Sequence, residues 1–245
     1  MNFFYLVGAF SFFRLFFLFR DKPLSLKGAV YLSLLQILPL LIFKIELILI
    51  LFAVLLIIIN FFLHYAERNG GSNKYRFLSF IFLSLLTLIF SSYGLIEFNQ
   101  SALSFLKHNK LFPQSFLLSV EINYQKITIV IFGTLILLNE INFLIRYFFE
   151  LLQLYPVYAD ENRPVDEREY NAGRVIGMLE RILIYLFILA NEITVIGFII
   201  AAKGFTRFKE LDKRDFAEYV LIGTLLSAFF ALIISFFIKE LMNYF

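Results

Sequence analysis

The sequence predicts an all-α fold, a polytopic bundle of six or seven transmembrane helices. Hydrophobic residues make up 60% of the chain and charged residues only 17%, whereas soluble domains have an apolar share nearer ~45–50%. The mean hydropathy is +0.81. The apolar residues also fall in runs of roughly 17–25, which is the length that crosses a bilayer as a helix. Together these observations predict a membrane protein.

The first three spans are predicted within residues 3–65. Residues 3–19 lack the basic start and the cleavage site of a signal peptide, so we expect a retained helix that carries Arg14. Residues 28–65 are too long for one helix. Because Pro39 and Lys44 interrupt this run, we predict two spans with a tight connection. If either of the first two runs is re-entrant, the number of spans changes.

Four further spans complete the predicted bundle, at residues 77–96, 127–154, 182–202 and 216–238. Residues 97–126 mix apolar and basic side chains and include Pro113, which predicts a helix lying in the interface over residues 100–120. We therefore divide the chain into N-terminal transmembrane helices (1–154, with the interfacial segment 97–126), a polar acidic loop (155–170) and a C-terminal transmembrane helical pair (171–245).

Composition also limits the chemistry. Cysteine is absent and histidine occurs only at His64 and His108, so no disulfide, thiol nucleophile or His-rich metal site is expected. The sequence contains none of the common catalytic motifs. We predict no catalytic residue, metal or cofactor, and no nucleic-acid binding. The expected partners are the lipid bilayer and, as an open possibility, a partner protein or a second copy of the chain.

Three ionisable residues lie near the middle of predicted spans: Arg14, Glu140 and Glu192, the last two beside Asn139 and Asn191. A charge at this depth in a membrane is costly in free energy, so it requires an ion-pair partner, a water-filled cavity or a functional role. One interpretation is a structural ion pair that fixes helix register. The other is an ion or proton site, since two carboxylates against one cation leave a negative surplus. In both, Glu192 is expected in the bundle interior, near Arg14.

Two basic pairs flank the predicted span 182–202. Arg174 and Arg181 share one helix face, and Lys203 and Arg207 share another. One straight helix over this span would be roughly 30 Å long, which would place the pairs at opposite membrane surfaces, in contact with lipid headgroups. A shared anion pocket would require a broken helix. The basic run 203–214 predicts a cytoplasmic loop.

Residues 171–238 carry a longer set of motifs: N-A-G-R-x-I-G-x-L-E-R at 171–181, I-G-F-x-x-A-A-K at 196–203, R-F at 207–208 and F-A-E-Y-x-L-I-G-T-L at 216–225. This combination resembles a family of uncharacterised bacterial polytopic membrane proteins, known as a domain of unknown function. The chain departs from that family in lacking its N-terminal H-L-x-x-D-F-x-x-Q helix and in having Glu192 where members tend to have glutamine. The resemblance implies a multi-pass protein of the bacterial inner (cytoplasmic) membrane, and no particular activity.

Three functions compete. A transporter- or channel-like protein would have a water-accessible path past Glu140, Glu192 and Arg14. A scaffold or regulatory subunit would have a dry core and a charged loop that docks a partner. A lipid-modifying enzyme would need interfacial catalytic residues, and the interfacial candidates (Arg174, Glu180 and Arg181) include no nucleophile. The first function is the prediction, and the second is its alternative.

Overall fold

The computed structural model describes residues 2–70, 72–100, 123–154, 167–206 and 214–245. Most of these residues are helical, and a bridge between Phe43 and Phe98 is the only β-pairing found among them. The all-α class is confirmed. In chain order the helices are α1 (Asn2–Arg14), α2 (Leu26–Ile37), α3 (Leu47–Asn69), α4 (Ser72–Ser92), α5 (Tyr124–Leu151), α6 (Glu167–Leu189), α7 (Thr194–Thr206) and α8 (Arg214–Tyr244).

Four of the described helices, α3, α4, α5 and α8, are long and apolar enough to cross a membrane. Three further apolar helices are shorter: Asn2–Phe17 and Leu26–Ile42, which extend α1 and α2 by 3-10 turns, and Thr194–Phe205 within α7. The structure therefore supports a bundle with four membrane-length helices, and the predicted count of six or seven spans is not confirmed.

The break predicted within residues 28–65 is confirmed, but the prediction that both halves are spans is not, because Leu26–Ile42 is shorter than the membrane-length helices. α2 ends at Ile37, and Pro39 starts a 3-10 turn, because a proline near the start of a helical turn lacks only an amide proton that has no partner there. Lys44 then pairs with Glu97 on the far side of the connection. The hydrogen bond from Lys44 and its positive charge lower the pKa of the Glu97 carboxyl.

Packing divides the chain into two compact units, Met1–Phe132 and Gly133–Phe245, so the boundary falls within α5. The first unit has a core of aromatic and aliphatic side chains. Phe10 of α1 and Phe52 of α3 stack with their ring centroids 6.1 Å apart. The buried members of this core are Leu6, Phe10, Leu40, Phe43, Leu49, Phe52, Leu56, Leu83, Phe90 and Ile96.

In the second unit, part of α5 packs with α6 and α8, and α7 packs on α6. Arg181 of α6 reaches both Leu137 of α5 and Ser227 of α8, while Asn191 bonds to Lys239 farther along α8. These pairings make α6 and α8 run in the same direction. α5 runs opposite to them, since Gly133 near its start faces Ile238 near the end of α8.

The predicted span 182–202 is not one helix, and this prediction is wrong. α6 ends at Leu189 and α7 begins at Thr194. Asn191 takes the left-handed conformation (φ 65°), which asparagine tolerates better than most residues. The N–H groups of Asn191 and Glu192 donate to the carbonyls of Ile188 and Phe187 at 3.1 and 2.8 Å. This pattern is a Schellman motif, which ends a helix by satisfying its last carbonyl groups.

Some predictions fall on residues outside the described part of the chain. Most of the predicted interfacial helix (residues 101–120) lies there. So does most of the acidic loop, residues 155–166, while its last four residues already belong to α6.

Candidate functional site

Glu192 and Asn191 are not in the interior of a helix bundle. Both lie in the turn between α6 and α7, and both side chains are exposed. Asn191 Oδ1 accepts a hydrogen bond from Lys239 Nζ at 2.6 Å. The prediction that Glu192 is a buried mid-helix carboxylate is therefore wrong, because the Schellman motif turns the chain at this point.

Arg14 is buried in the first unit, with 1% of its surface exposed. Its guanidinium donates to Ser79 Oγ at 3.0 Å and to the backbone carbonyl of Arg76 at 2.7 Å. The same group lies 5.6 Å from the ring centre of Phe17 and 5.9 Å from that of Phe80. Aromatic faces stabilise a desolvated cation, so these contacts stabilise the buried charge of Arg14 at the end of α1.

A buried ion pair that the sequence analysis missed joins α3 to α4. Arg76 Nε donates to Glu67 Oε1 at 2.9 Å, and neither side chain is exposed. The other guanidinium nitrogens donate to the carbonyls of Arg20 and Lys22, at 2.5 and 2.9 Å. Glu67 Oε2 accepts from the N–H of Leu24 at 2.6 Å. The pair therefore fastens the connection between α1 and α2 to the ends of α3 and α4.

Two polar features lie near this ion pair. An open groove of about 540 Å³ is lined in part by His64 and Arg68. Deeper in the same unit, Asn60 Nδ2 donates to Ser33 Oγ and Gln36 Oε1 at 3.1 and 2.8 Å. These three buried residues join α2 to α3, since an amide left without partners in an apolar core is costly.

Glu140 and Asn139 lie together in the second unit, in the π-helical turn Ile136–Glu140 of α5. Neither is exposed, and Asn139 Nδ2 donates to Glu140 Oε1 at 2.8 Å. Turns of this kind are rare and are frequently found at functional sites. Glu140 is thus a buried carboxylate near the middle of a membrane-length helix, which is where the sequence analysis placed it.

Arg181 is also buried in the second unit, with 3% of its surface exposed. Its Nε donates to the carbonyl of Leu137, in the π turn, and its Nη1 donates to Ser227 Oγ, both at 3.1 Å. Arg174, about two turns earlier on the same face of α6, is 8% exposed. Both side chains are packed inside the unit, so the prediction that they contact lipid headgroups at the surface is wrong.

The broken helix brings Lys203 back beside α6. Lys203 Nζ lies 2.6 Å from Glu180 Oε2, and each side chain is 16% exposed. The predicted placement of Lys203 at the membrane surface opposite Arg181 is therefore wrong. Arg207 lies outside the described residues. A small cavity of about 10 Å³ adjoins the pair, with this lining: Glu180, Ile184, Ile199, Ile200, Lys203, Thr224, Ser227 and Ala228.

We call the group formed by Glu140, Glu180, Arg181, Lys203 and Ser227 the polar centre. It lies deep in the helices that hold it. Leu137, which bonds to Arg181, is near the middle of α5, and Ser227 is about 15 Å along α8 from Ala217. Glu140 and Ser227 therefore lie on membrane-length helices, whereas Glu180 and Arg181 lie on α6 and Lys203 on the shorter α7. Charged groups within a membrane mark solute or proton pathways.

The chain was compared with protein-family models, with curated proteins and with solved structures, and none of them matches it. The resemblance of residues 171–238 to a bacterial membrane-protein family stays a prediction.

Proposed function

We propose that this chain is a multi-pass membrane protein of the transporter or channel type, and that it carries a small charged solute past the polar centre. The observation that supports this most is the burial of Glu140 and Arg181 in the second unit, with the ion pair of Glu180 and Lys203 next to Arg181. Charged residues within a membrane are costly and face the protein interior or a pathway.

The broken pair of helices α6 and α7 supports the same function. Transporters commonly place their binding sites near the bilayer midplane, where discontinuous helices leave polar groups available. Here α7 is only 13 residues long, about 20 Å, and most of its side chains are exposed or half-buried. It is joined to α6 through the ion pair between Glu180 and Lys203. A short, lightly packed helix beside a polar centre is suited to opening and closing a path.

The membrane itself is proposed on the apolar surface of the helices. Large apolar side chains are exposed on α3 and α8, among them Leu47 at 82%, Phe62 at 61% and Leu221 at 59%. Such surfaces are tolerated where lipid covers them. From the resemblance, we propose that the membrane is the bacterial inner membrane. From its positive charge, we propose that the basic run 203–214 faces the cytoplasm.

The scaffold alternative has one observation in its favour. The cavity at the polar centre, about 10 Å³, has room for about one water molecule. A dry core of this kind also suits a subunit that binds a partner protein. Measurement of solute movement separates the two functions, because only the first requires flux.

The test is flux through purified protein in liposomes, with sodium, potassium, proton and chloride each measured in turn. We expect flux of one of these ions above protein-free vesicles. Glu140→Gln keeps the shape of the buried side chain but removes its charge, so we expect at least a tenfold loss of flux. The matched control is Glu192→Gln, the same substitution in an exposed turn, which should leave the flux unchanged.

Two outcomes would count against this function. The first is that none of the four ions moves faster than in protein-free vesicles. The second is that Glu140→Gln, shown to be folded and monodisperse in detergent, carries as much flux as the wild type.

A further inference from the structure

The open groove of the first unit lies where the start of α2 meets the end of α3. Its volume of about 540 Å³ is within the range of about 300–1,000 Å³ that is typical of small-molecule sites. Among the described residues that line it, Arg68 carries a permanent charge and none is acidic. The lining consists of Pro23, Leu24, Ser25, Leu26, His64 and Arg68.

Three side chains of this lining offer hydrogen-bond donors. Arg68 is exposed in the last turn of α3, and its guanidinium has five N–H groups. Ser25 Oγ accepts from the N–H of Gly28 at 3.1 Å, and that bond does not use the hydroxyl proton of Ser25. His64 Nδ1 lies 2.5 Å from the carbonyl oxygen of Leu24, so Nδ1 carries a proton and the second ring nitrogen is outside this bond. A guanidinium beside a hydroxyl and an imidazole suits a phosphate group.

The acids near the groove do not oppose an anion there. Glu67 approaches the lining at Leu24, whose N–H donates to Glu67 Oε2. Its carboxylate is buried, and both of its oxygens accept from Arg76, at 2.9 and 3.2 Å. Asp21 is exposed and lies outside the described lining. Segments 20–28 and 64–76, which the bonds of Arg76 hold together, contain six lysines and arginines against these two acids.

The groove also adjoins exposed apolar surface of a membrane-length helix. α3 is long and apolar enough to cross a membrane, and His64 and Arg68 lie in its last two turns. Phe61 is three and seven residues before them, which places all three on one helix face. Phe61 and Leu26 are large, apolar and exposed. A cationic groove at the end of an apolar helix complements a ligand with an anionic head and hydrocarbon chains.

We propose that this groove binds the phosphate group of an anionic phospholipid. Arg68 supplies the positive charge, Ser25 and His64 supply hydrogen-bond donors, and an acyl chain lies along Leu26 and Phe61. A lipid bound there would join α2 to α3 and stabilise the first unit. The inference goes beyond transport, and it rests on the proposed membrane location only for the source of the phosphate.

Binding can be measured by the unfolding temperature of delipidated protein in a neutral detergent, followed by circular dichroism. The probes are phosphatidylglycerol, phosphatidylcholine with the same acyl chains, and inorganic phosphate compared with sodium chloride at one ionic strength. We expect a saturable rise with phosphatidylglycerol, and the zwitterionic lipid should need at least a tenfold higher concentration. Inorganic phosphate should give no rise at the concentration where phosphatidylglycerol saturates, because it lacks the chains.

Arg68→Gln should raise the half-saturating concentration of phosphatidylglycerol roughly tenfold, because it loses a charged hydrogen bond. Arg68 is exposed, so the variant should fold. The matched control is Lys74→Gln, which removes the same charge from an exposed residue at the same end of the unit but outside the described lining. It should bind as the wild type does. Equal weakening by the two variants would show a general attraction between charges and would overturn the site.

A second pair of variants tests the groove itself. Asparagine and aspartate cap a helix about as well as serine, so Ser25→Asn and Ser25→Asp should both keep the start of α2. Only aspartate adds a negative charge to the groove, so Ser25→Asp should lose the response to phosphatidylglycerol and Ser25→Asn should keep it. Equal responses of these two variants would contradict the site.

Two further results would overturn the inference. One is equal half-saturation by phosphatidylglycerol and phosphatidylcholine. The other is saturation by inorganic phosphate at the same concentration as the lipid, which would identify a free anion as the occupant. Selective lipid binding without flux in liposomes would keep the lipid site and reject transport, whereas flux without lipid selectivity would do the reverse.

Discussion

Replacing Glu67 with alanine is expected to destabilise the first unit by about 3–5 kcal/mol, because it removes the buried carboxylate that accepts hydrogen bonds from the Arg76 guanidinium. Both side chains are fully buried. The same substitution removes the acceptor of the Leu24 N–H, so the connection between α1 and α2 loses an anchor as well. The measurement is thermal unfolding of the purified protein in detergent, followed by circular dichroism.

The matched control is Glu97→Ala, which breaks the exposed pair with Lys44. Exposed ion pairs contribute little, since water and salt screen them, so this variant should unfold close to the wild-type temperature. Glu67→Gln should fall between the two, because the amide still offers an acceptor to Leu24. If Glu67→Ala unfolds at the same temperature as Glu97→Ala, the proposed role of the buried pair is wrong.

Replacing Gly133 with alanine is expected to destabilise the second unit by about 1–3 kcal/mol, as overpacking does in a filled core. A Cβ atom at this position would lie 2.6 Å from Tyr185 Oη and 2.7 Å from Ile238 Cγ1. Neither residue is free to retreat, since both are fully buried and Tyr185 shares a hydrogen bond with Thr134. Gly133→Leu should prevent α5, α6 and α8 from packing and give aggregated protein on size-exclusion chromatography.

Gly173→Ala is the control for this prediction. Gly173 lies in α6, and a Cβ atom there would meet nothing within 4 Å. Alanine is favoured over glycine in a helix by up to ~1 kcal/mol, so this variant should be as stable as the wild type or slightly more so. If Gly133→Ala is as stable as Gly173→Ala, the proposed close packing of α5 against Tyr185 and Ile238 is wrong.

The fold class could be predicted because lipid leaves few alternatives. A long apolar run has to satisfy its own backbone hydrogen bonds, so it forms a helix. The break at Pro39 could also be predicted, because Pro39, Lys44 and Glu46 together interrupt the apolar run. The number of membrane-length helices could not be predicted from the sequence. α1 and α2 change to 3-10 turns at their ends, and their composition alone carries no signal of it.

The break after α6 was missed because a capping signal was interpreted as a functional one. Asn191 and Glu192 are polar residues inside an apolar run, which suggested a buried site. Asparagine is also a residue that ends helices in the left-handed conformation, and this is its role here. The same three letters, Asn-Glu-Ile, occur at residues 139–141, where Asn139 and Glu140 end a π turn within α5 and the helix continues. The tripeptide therefore does not specify one backbone structure.

The charged residues were misplaced for a related reason. A position within a span says how deep a residue lies, but it does not say which helix face is buried. Arg76 and Glu67 lie at the ends of helices, where exposed charges are common, yet both are buried by the α1–α2 connection. Arg181 was assigned to the surface because a straight helix was assumed after it. Only the return of α7 places Lys203 and Glu180 together and defines the polar centre.

The measurement that tests this arrangement most directly is a cross-link between residues 180 and 203. The chain has no cysteine, so Glu180→Cys and Lys203→Cys create the only reactive pair. In one straight helix these residues would be about 35 Å apart, beyond the reach of a short bismaleimide. In the structure their side chains touch. The control pair is Glu180→Cys with Glu192→Cys, because Glu192 lies beyond the end of α6 at Leu189, which is itself about 13 Å along the helix from Glu180.

The reagent is applied to the protein in membrane vesicles, and the linked peptides are detected by mass spectrometry. The structure predicts an intramolecular link between positions 180 and 203 and none in the control pair. A double variant at 180 and 203 that reacts at each cysteine singly, but forms no more link than the control, would show that α6 and α7 do not fold back on each other. That result would contradict the polar centre.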